Sequence, residues 1–248
     1  MSKAIRIHAH GGPEALRYEE NDPGRPGAGE VLVRHTAIGL NFLDVYYRTG
    51  LYPAPNGLPL VPGAEAAGVV VEAGPGVERL KAGDRIAYAA ATGSYAQERV
   101  IAADRLVKVP DGIGDEQAAA MMLKGLTAHY LLRRTYRVKK GDQVVIHAAA
   151  GGVGLIAVQW ARQLGAVVIA VVGNDDKAAL VREHGAHHAI VSPREDFVAR
   201  VREITAGKGV PVGYESVGEG KFNGAVDFLF PLRVMVTYGN ASRPGPPF

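Results

Sequence analysis

The sequence contains no cysteine among its 248 residues. This absence excludes disulfide bonds, thiolate nucleophiles and every metal site that needs a thiolate ligand. No apolar run approaches the roughly 18 residues of a membrane-spanning helix, and residues 1–10 lack the apolar core of a secretory signal. We therefore expect a cytoplasmic protein with no membrane partner.

The chain also has no large net charge of either sign. The net charge is +3, with 21% charged and 47% hydrophobic residues, which is typical of a globular chain with one large domain or two modest ones. The short basic cluster at 133–140 favours a solvated surface. No stripe of alternating basic and aromatic residues is present. Nucleic acid is therefore not an expected partner.

The first half of the chain is rich in glycine and proline and carries short β-branched runs. They predict strands at KAIRIHA, EVLVRHTAI, GVVVEAG, DRIAYAA and YAQERVIA. This half is expected to be an irregular β domain or barrel. From Asp115 onward, acidic residues followed by apolar residues at helical spacing predict a long helix, broken near Gly125.

The second half alternates strands with helices. Strands are predicted at 143–148, 167–172, 188–192, 212–217 and 234–239, and helices at 153–164, 175–184, 195–206 and 220–230. Gly165 and Gly185 fall where left-handed helix C-caps are expected. Regular alternation predicts an α/β fold with a doubly wound parallel sheet. Pro211 lacks a backbone N–H for the strand ladder, so it is compatible with the predicted parallel sheet only near the start of its strand.

The segment AAAGGVG at 148–154 follows a predicted strand and opens a predicted helix. Glycines in this position let a pyrophosphate approach the backbone N–H groups and the positive end of the helix dipole. In a series of alternating strands and helices, this turn predicts a dinucleotide site. The alternative is a tight turn with a purely structural role.

The end of the second strand of this series bears on the choice of dinucleotide. An NAD site usually carries an acidic residue there, whereas this chain has Gly173 and Asn174. Lys177 follows and its ammonium can meet a 2′-phosphate, which favours NADP. Asp175 and Asp176 are either N-cap groups of the next helix or residues that weaken phosphate binding.

Several longer segments carry a resemblance to a known family. They are GLNFLDVYYRTGLYP (39–53), VPGAEAAGVV (61–70), AGDRIAY (82–88), LKGLTAHYLL (123–132), HAAAGGVGLIAVQWA (147–161), YESVG (214–218) and YGNAS (238–242). Together the segments resemble the zinc-free quinone oxidoreductases of the zeta-crystallin type, within the medium-chain dehydrogenase/reductases. The resemblance covers nearly the whole chain.

The resemblance implies a fold and an activity. It implies a GroES-like catalytic domain over residues 1–124 and an NADP-binding Rossmann domain over residues 125–248, with NADPH in the cleft between them and hydride transfer to a quinone. Zinc-using relatives have a cysteine within residues 41–44 and a histidine where Ala64 stands, and neither is present. A metal-independent NADPH:quinone reductase is therefore expected.

The resemblance also implies roles for individual residues. The catalytic site is assigned to Asn41, Tyr46 and Tyr52. Cofactor contacts are assigned to Asn41, Thr127, Tyr130, Gly151, Gly152, Val153, Gly173, Asn174, Lys177, Ser216, Tyr238, Gly239 and Asn240, and no metal ligand is assigned. As alternatives, Tyr46, Tyr47 and Tyr52 pack the domain as hydrophobic filler, and Asp44 has a structural hydrogen-bonding role.

The chain departs from the family pattern at two points. Ser192 and Pro193 stand near the place of a tyrosine that contributes to the phosphate pocket. The sequence also ends after the fifth predicted strand, before the sixth strand and the returning segment of the family. It is either a fragment or a chain with unusual compensation, and this ending speaks against the homodimer that the family implies.

Three functions remain open from the sequence. The first is reduction of a quinone. The second is reduction of an enone or enoyl substrate by the same superfamily. The third is a nucleotide-binding or RNA-binding crystallin-like protein without catalysis.

Overall fold

The computed structural model describes residues 2–90, 92–218 and 229–242. The chain divides between Leu123 and Lys124 into two compact units, called here the first and the second unit. Across the described residues, no helix has both the length and the apolar character that a membrane crossing requires.

Apart from two single-turn 3-10 helices (Pro13–Ala15 and Ala103–Arg105) and the start of a longer helix, the described residues of the first unit form seven strands and one short α-helix. In chain order these are β1 (Ser2–Ile7), β2 (Leu16–Asn21), β3 (Glu30–Gly39), α1 (Phe42–Thr49), β4 (Glu65–Ala73), β5 (Arg85–Ala89), β6 (Glu98–Ala102) and β7 (Val107–Lys108). An antiparallel sheet has the order β6-β3-β4-β5-β7, and β1 pairs with β2 in a separate hairpin. Alternation along the strands buries Val31, Val33 and Ile86 in one core.

The sequence did not predict β2, α1 or the two-residue strand β7. The segment LRYEEN of β2 is mostly polar and exposed, so its strand depends on the ladder with β1 rather than on a buried face. The segment FLDVYYRT of α1 is rich in β-branched and aromatic residues, which favour strands. It forms a helix because the Asp44 side chain accepts the backbone N–H of Asn41 at the helix start.

The second unit contains most of the predicted alternation. Helix α2 (Asp115–Tyr130) starts in the first unit and continues into a π-helical turn (Leu131–Thr135). It is followed by β8 (Gln143–His147), α3 (Gly152–Gln163), β9 (Val167–Val172), α4 (Asp175–Glu183), β10 (His188–Val191), α5 (Phe197–Ile204), β11 (Val210–Glu215) and β12 (Leu229–Thr237). The strands run parallel in the order β10-β9-β8-β11-β12.

Both faces of this sheet are covered, as the prediction of a doubly wound fold requires. Along β8, Val144 and Ile146 pack in one apolar cluster and Val145 packs in another. The C-cap prediction is also confirmed, because Gly165 has a φ of 83° and Gly185 a φ of 104°.

Three details differ from the sequence-based expectation. Helix α2 runs through Gly125 without a break. Strand β12 begins at Leu229, so residues 229–230 are strand rather than the end of the predicted helix 220–230, and the rest of that helix up to residue 228 lies outside the described residues. Pro211 is the second residue of β11, and the pairing with β12 is irregular around it, since proline cannot donate to a ladder.

A hydrogen-bond chain in the first unit engages both ring nitrogens of the buried His35. Its Nδ1–H donates to the Ala96 carbonyl at 2.6 Å, because a carbonyl oxygen can only accept. Nε2 therefore accepts from the Tyr88 hydroxyl at 2.7 Å, and Ser94 donates to that hydroxyl oxygen at 3.0 Å. Burial, with a smaller contribution from the charge of Arg99, lowers the pKa of His35 to about 4.

We expect stability to fall as the pH decreases from about 6.5 to about 4, because the unfolded chain binds a proton at His35 that the folded chain rejects. A pKa shift of this size corresponds to about 3 kcal/mol of unfolding free energy. Urea unfolding of the parent and of His35→Gln across this pH range measures the effect. The variant should lose less stability than the parent, and parallel curves would contradict the assignment.

Candidate functional site

The turn between β8 and α3 forms a cradle of backbone N–H groups. Ala148 has a left-handed φ of 47°, and Gly151 donates its N–H to the Ala148 carbonyl at 2.9 Å. Gly151 is the N-cap and Gly152 the first residue of α3, and both are exposed. The first N–H groups of a helix have no intrahelical acceptor and attract anions together with the helix dipole. The Val153 side chain packs against the core. Only the backbone N–H of Val153 is therefore available for an anion.

Gly154 is the glycine on which the shape of the turn depends most. A Cβ at this position would lie 2.5 Å from the Ala148 carbonyl oxygen and 2.6 Å from that of Ala149. Only glycine therefore lets α3 pack this closely against the turn. Gly154 belongs to the motif AAAGGVG but is not among the residues that the resemblance assigns to the site.

Lys124 is a second residue that the assignment missed. A Cβ on Gly152 would lie 2.7 Å from Cδ of Lys124, so the lysine stem lies directly over the glycine turn. Lys124 therefore adjoins the first residue of α3. A separation of 28 residues hides this contact in the sequence, although Lys124 stands in the quoted segment LKGLTAHYLL.

The end of β9 presents the residues predicted to face the adenosine phosphate. Gly173, Asn174 and Lys177 are all exposed, and a Cβ at Gly173 would meet no atom within 4 Å. Packing does not require glycine there, so the space is open to a ligand. Asn174 is the N-cap of α4, since its Oδ1 accepts the backbone N–H of Lys177 at 2.9 Å. Asp175, considered as a possible cap, instead lies in the first turn of the helix.

The end of β10 adds a cation that the sequence analysis did not assign. Ser192 donates its backbone N–H to the Val172 carbonyl at 3.0 Å, which brings the ends of β10 and β9 together. Two residues later, Arg194 makes a two-pronged contact with Asp175, with both N···O distances at 2.7 Å. The parallel sheet creates this proximity, and no sequence spacing indicates it.

Three predicted cofactor residues meet where β11 and β12 end. Tyr238 donates its backbone N–H to the Glu215 carbonyl at 2.9 Å, and a Cβ on Gly239 would lie 3.1 Å from the Ser216 carbonyl oxygen. Burial raises the pKa of Tyr238 to about 12, against the opposing effect of a hydrogen bond with the Ser216 side chain. The phenol is therefore a neutral group at physiological pH. Asn240 follows directly and is half-buried.

Thr127 and Tyr130 lie one turn apart near the end of α2. Thr127 is half-buried, and Tyr130 is exposed. Tyr130 is close enough to Tyr238 to contribute to its raised pKa. The end of α2 and the end of β12 therefore adjoin within the second unit.

In the first unit, a buried carboxylate fixes the predicted catalytic residue Asn41. The Nδ2 atom of Asn41 donates to one carboxylate oxygen of Glu65 at 2.9 Å, and the other oxygen accepts the backbone N–H of Leu123 at 2.7 Å. Glu65 is fully buried and Asn41 nearly so. The contact commits one of the two side-chain N–H bonds of Asn41 to holding the amide in place.

Asp44 stabilises the same corner from the helix side. Its carboxylate accepts the backbone N–H of Asn41 and the Tyr95 hydroxyl, each at 2.9 Å. Burial raises the pKa of Asp44, and the charge of Glu65 adds to the effect. These contacts confirm the structural hydrogen-bonding role expected for Asp44.

The aromatic residues beside Asn41 divide into a packed and an exposed group. Tyr46 and Tyr47 are buried, whereas Tyr52 is 37% exposed and Phe42 is 58% exposed. The ring centroids of Tyr46 and Tyr52 lie 5.2 Å apart, and those of Phe42 and Tyr46 lie 6.3 Å apart. Tyr46 thus packs against Tyr52 and Phe42, which remain exposed. Phe42 is not among the residues that the resemblance assigns to the catalytic site.

The residues of the first unit do not fit a catalytic zinc ion. Ala64, where a ligand histidine would stand, is fully buried in the core, and the chain has no cysteine. Within residues 2–90, 92–218 and 229–242, no three histidine, aspartate or glutamate side chains gather in a metal-binding arrangement. A catalytic zinc site normally takes three protein ligands.

Comparison with known proteins agrees with this architecture. Residues 27–111 match the alcohol dehydrogenase GroES-like domain, and residues 152–247 match the family described as zinc-binding dehydrogenase. The quinone oxidoreductase of Pseudomonas aeruginosa is 51% identical over 98% of this chain and 75% of its own length. A 2-haloacrylate reductase of Burkholderia is 48% identical over 98% of this chain and 74% of its own.

A solved structure gives the same result. The crystal structure of Escherichia coli quinone oxidoreductase complexed with NADPH matches with a TM-score of 0.96 and 47% identity, over 99% of this chain and 76% of the other. A GroES-like domain followed by a parallel nucleotide-binding sheet defines a medium-chain dehydrogenase/reductase. Within that class, the chain belongs to the quinone oxidoreductase family.

Replacement of Gly154 tests the shape of the turn. Gly154→Ala should lower the unfolding free energy by about 1–3 kcal/mol, because its methyl group overlaps backbone atoms that cannot easily move. Gly125→Ala is the matched control inside α2, where a Cβ meets no atom within 4 Å, and it should raise stability by about 0.5–1 kcal/mol. Urea unfolding compares the two, and equal effects would contradict the close packing at Gly154.

Proposed function

We propose that this chain is an NADPH-dependent oxidoreductase that transfers hydride to a quinone without a metal ion. The observation that carries the proposal is the common edge of the parallel sheet. The glycine turn and the loops after β9, β11 and β12 all open at this edge, and they contain the residues predicted to contact the cofactor. The family relationship and the NADPH complex of a relative support the same reading.

The residues of the second unit fit a dinucleotide with an additional phosphate. The N–H groups of Gly152 and Val153 and the ammonium of Lys124 suit a pyrophosphate. Lys177 and the open space at Gly173 suit the 2′-phosphate that distinguishes NADPH from NADH. In the part of the chain that the structure describes, no acidic residue stands at the end of β9 itself, where it would accept the ribose hydroxyl of NAD.

The proposed role of the first unit is orientation and charge stabilisation. When bound, NADPH supplies a hydride, and the quinone takes its remaining proton from water. Asn41, held by Glu65, donates a hydrogen bond toward the acceptor oxygen as negative charge develops on it. Tyr52, backed by Tyr46, offers an aromatic face to a flat acceptor. These groups position the substrate, and none has to carry a proton.

A second candidate is reduction of a conjugated carbonyl or acid, which the similarity to a 2-haloacrylate reductase favours. NADPH oxidation measured with a panel of ortho-quinones, para-quinones and enones separates the two. Turnover that is faster with quinones supports the main proposal, and turnover restricted to enones supports the second. If neither class of substrate is turned over, the remaining hypothesis is a nucleotide-binding protein that does not catalyse a reaction.

The role of Asn41 is tested with two variants, because this residue is also the N-cap of α1. Asn41→Ser retains a residue type that favours the N-cap and Asn41→Ala does not, but both remove the amide that donates to the buried Glu65 carboxylate and should cost about 1–3 kcal/mol of stability. Both variants lose the side-chain amide. Each should therefore lower single-turnover hydride transfer by up to about a hundredfold, with the dissociation constant for NADPH changed only a few-fold.

The two variants also separate catalysis from folding. Transfer as fast in Asn41→Ser as in the parent would mean that Asn41 acts only as a helix cap. The substrate contacts would then have to be sought at Tyr52 and Phe42.

Metal independence is tested directly. We expect elemental analysis of the purified protein to find no stoichiometric zinc, and a chelator to leave quinone reduction unchanged, because the described residues form no three-ligand site for the ion. About one zinc per chain, together with loss of activity in chelator, would overturn this expectation.

A further inference from the structure

The ends of β9 and β10 place two cations and two acids around the first turn of α4. Lys177 lies in this turn with Asp175 and Asp176, and Arg194 reaches it from the loop after β10. Across the described chain, the Lys177 ammonium forms no ion pair, whereas the Arg194 guanidinium is bound to Asp175. The formal charges of the four groups sum to zero. An added phosphate therefore gains little attraction unless one acid withdraws.

The contact between Arg194 and Asp175 is well formed but exposed. Both N···O distances are 2.7 Å, and the side chains are 60% and 69% exposed. The hydrogen bond to Arg194 lowers the pKa of Asp175, so the carboxyl is ionised at neutral pH. Exposed ion pairs contribute little to stability because water and salt compete with them. The guanidinium can therefore change partners at low cost.

A phosphate is the partner that this guanidinium fits best. The planar fork of arginine matches phosphate as well as carboxylate with two parallel hydrogen bonds. A 2′-phosphate near Lys177 and the N-terminus of α4 would lie beside the first turn that Asp175 occupies. It also carries more negative charge than the single carboxylate it would replace.

We propose that Arg194 is a specificity-determining residue that exchanges Asp175 for the 2′-phosphate of NADPH, with Asp175 acting as a built-in competitor for its guanidinium. The inference rests on the proposed function, since it concerns the choice of cofactor at the same site. In the loop SPRE at 192–195, the Ser192 hydroxyl donates to the Val172 carbonyl at 3.4 Å. Arginine at position 194 supplies the longer donor.

The exchange predicts opposite effects for the two partners. Loss of Arg194 weakens NADPH binding because a direct phosphate contact disappears. Loss of the Asp175 charge strengthens NADPH binding because the guanidinium no longer has a competitor. NADH lacks the phosphate, so neither change should affect it much.

The test is a titration of NADPH and NADH, followed by fluorescence, with the 248-residue chain and its variants. Arg194→Ala should raise the dissociation constant for NADPH roughly tenfold, and Asp175→Asn should lower it several-fold. Both should leave that for NADH within about twofold. Arg34→Ala removes a similarly exposed, carboxylate-paired arginine of the first unit and should change neither constant.

The double variant distinguishes a direct contact from mere charge masking. If Arg194 only neutralises Asp175, then Asp175→Asn and the double variant Asp175→Asn/Arg194→Ala bind NADPH equally, and this result overturns the proposal. If Arg194 binds the phosphate, the double variant binds about tenfold more weakly than Asp175→Asn. Adenosine 2′,5′-bisphosphate and AMP differ by the same 2′-phosphate and lack the nicotinamide. The variants should change the dissociation constant of the bisphosphate as they change that of NADPH, and should leave that of AMP nearly unchanged.

Failure of this inference can be told apart from failure of the proposed function. A parent chain that binds neither dinucleotide would overturn the proposed function and this inference together. A parent that binds NADPH more tightly than NADH, with unchanged affinity in Arg194→Ala, would overturn the role of Arg194 alone.

Discussion

Parallel pairing of five strands is the constraint on which the second unit depends. Parallel strands need crossover helices, so the chain returns to the same edge of the sheet after each helix and leaves it again from the opposite edge. Five loops that are far apart in sequence, at 148–154, 173–177, 192–194, 216–218 and 238–240, therefore open at one edge. The identity of the residues just past each strand end then decides which ligand this edge can hold.

The sequence revealed this architecture because its signals are local. The apolar runs of β8 and β9, the glycines after β8 and the C-cap glycines each report on a few neighbouring residues. Contacts between distant segments leave no such pattern. The stem of Lys124 over Gly152 and the pairing of Arg194 with Asp175 follow from tertiary structure alone, and both escaped the sequence analysis.

The first unit was harder to predict because its elements depend on partners. β2 is a strand because β1 pairs with it, and α1 is a helix because Asp44 caps it against the strand preference of its residues. One local signal was available, namely the carboxylate of Glu65 inside the apolar segment VPGAEAAGVV. A fully buried acid in such a run must find donors, and it finds them on Asn41 and Leu123.

Because the Arg194–Asp175 pair is exposed, the proposed choice of cofactor depends on the ionic strength of the solution as well as on the protein. Charges at the surface interact over a Debye length of about 8 Å at physiological ionic strength, and this length shortens as salt is added. Dissolved ions compete for the guanidinium and for the phosphate alike. Under the proposed exchange, we expect two dinucleotides that differ by a single phosphate to be harder to distinguish at high salt, because the contact proposed for the glycine turn involves only the pyrophosphate that both share.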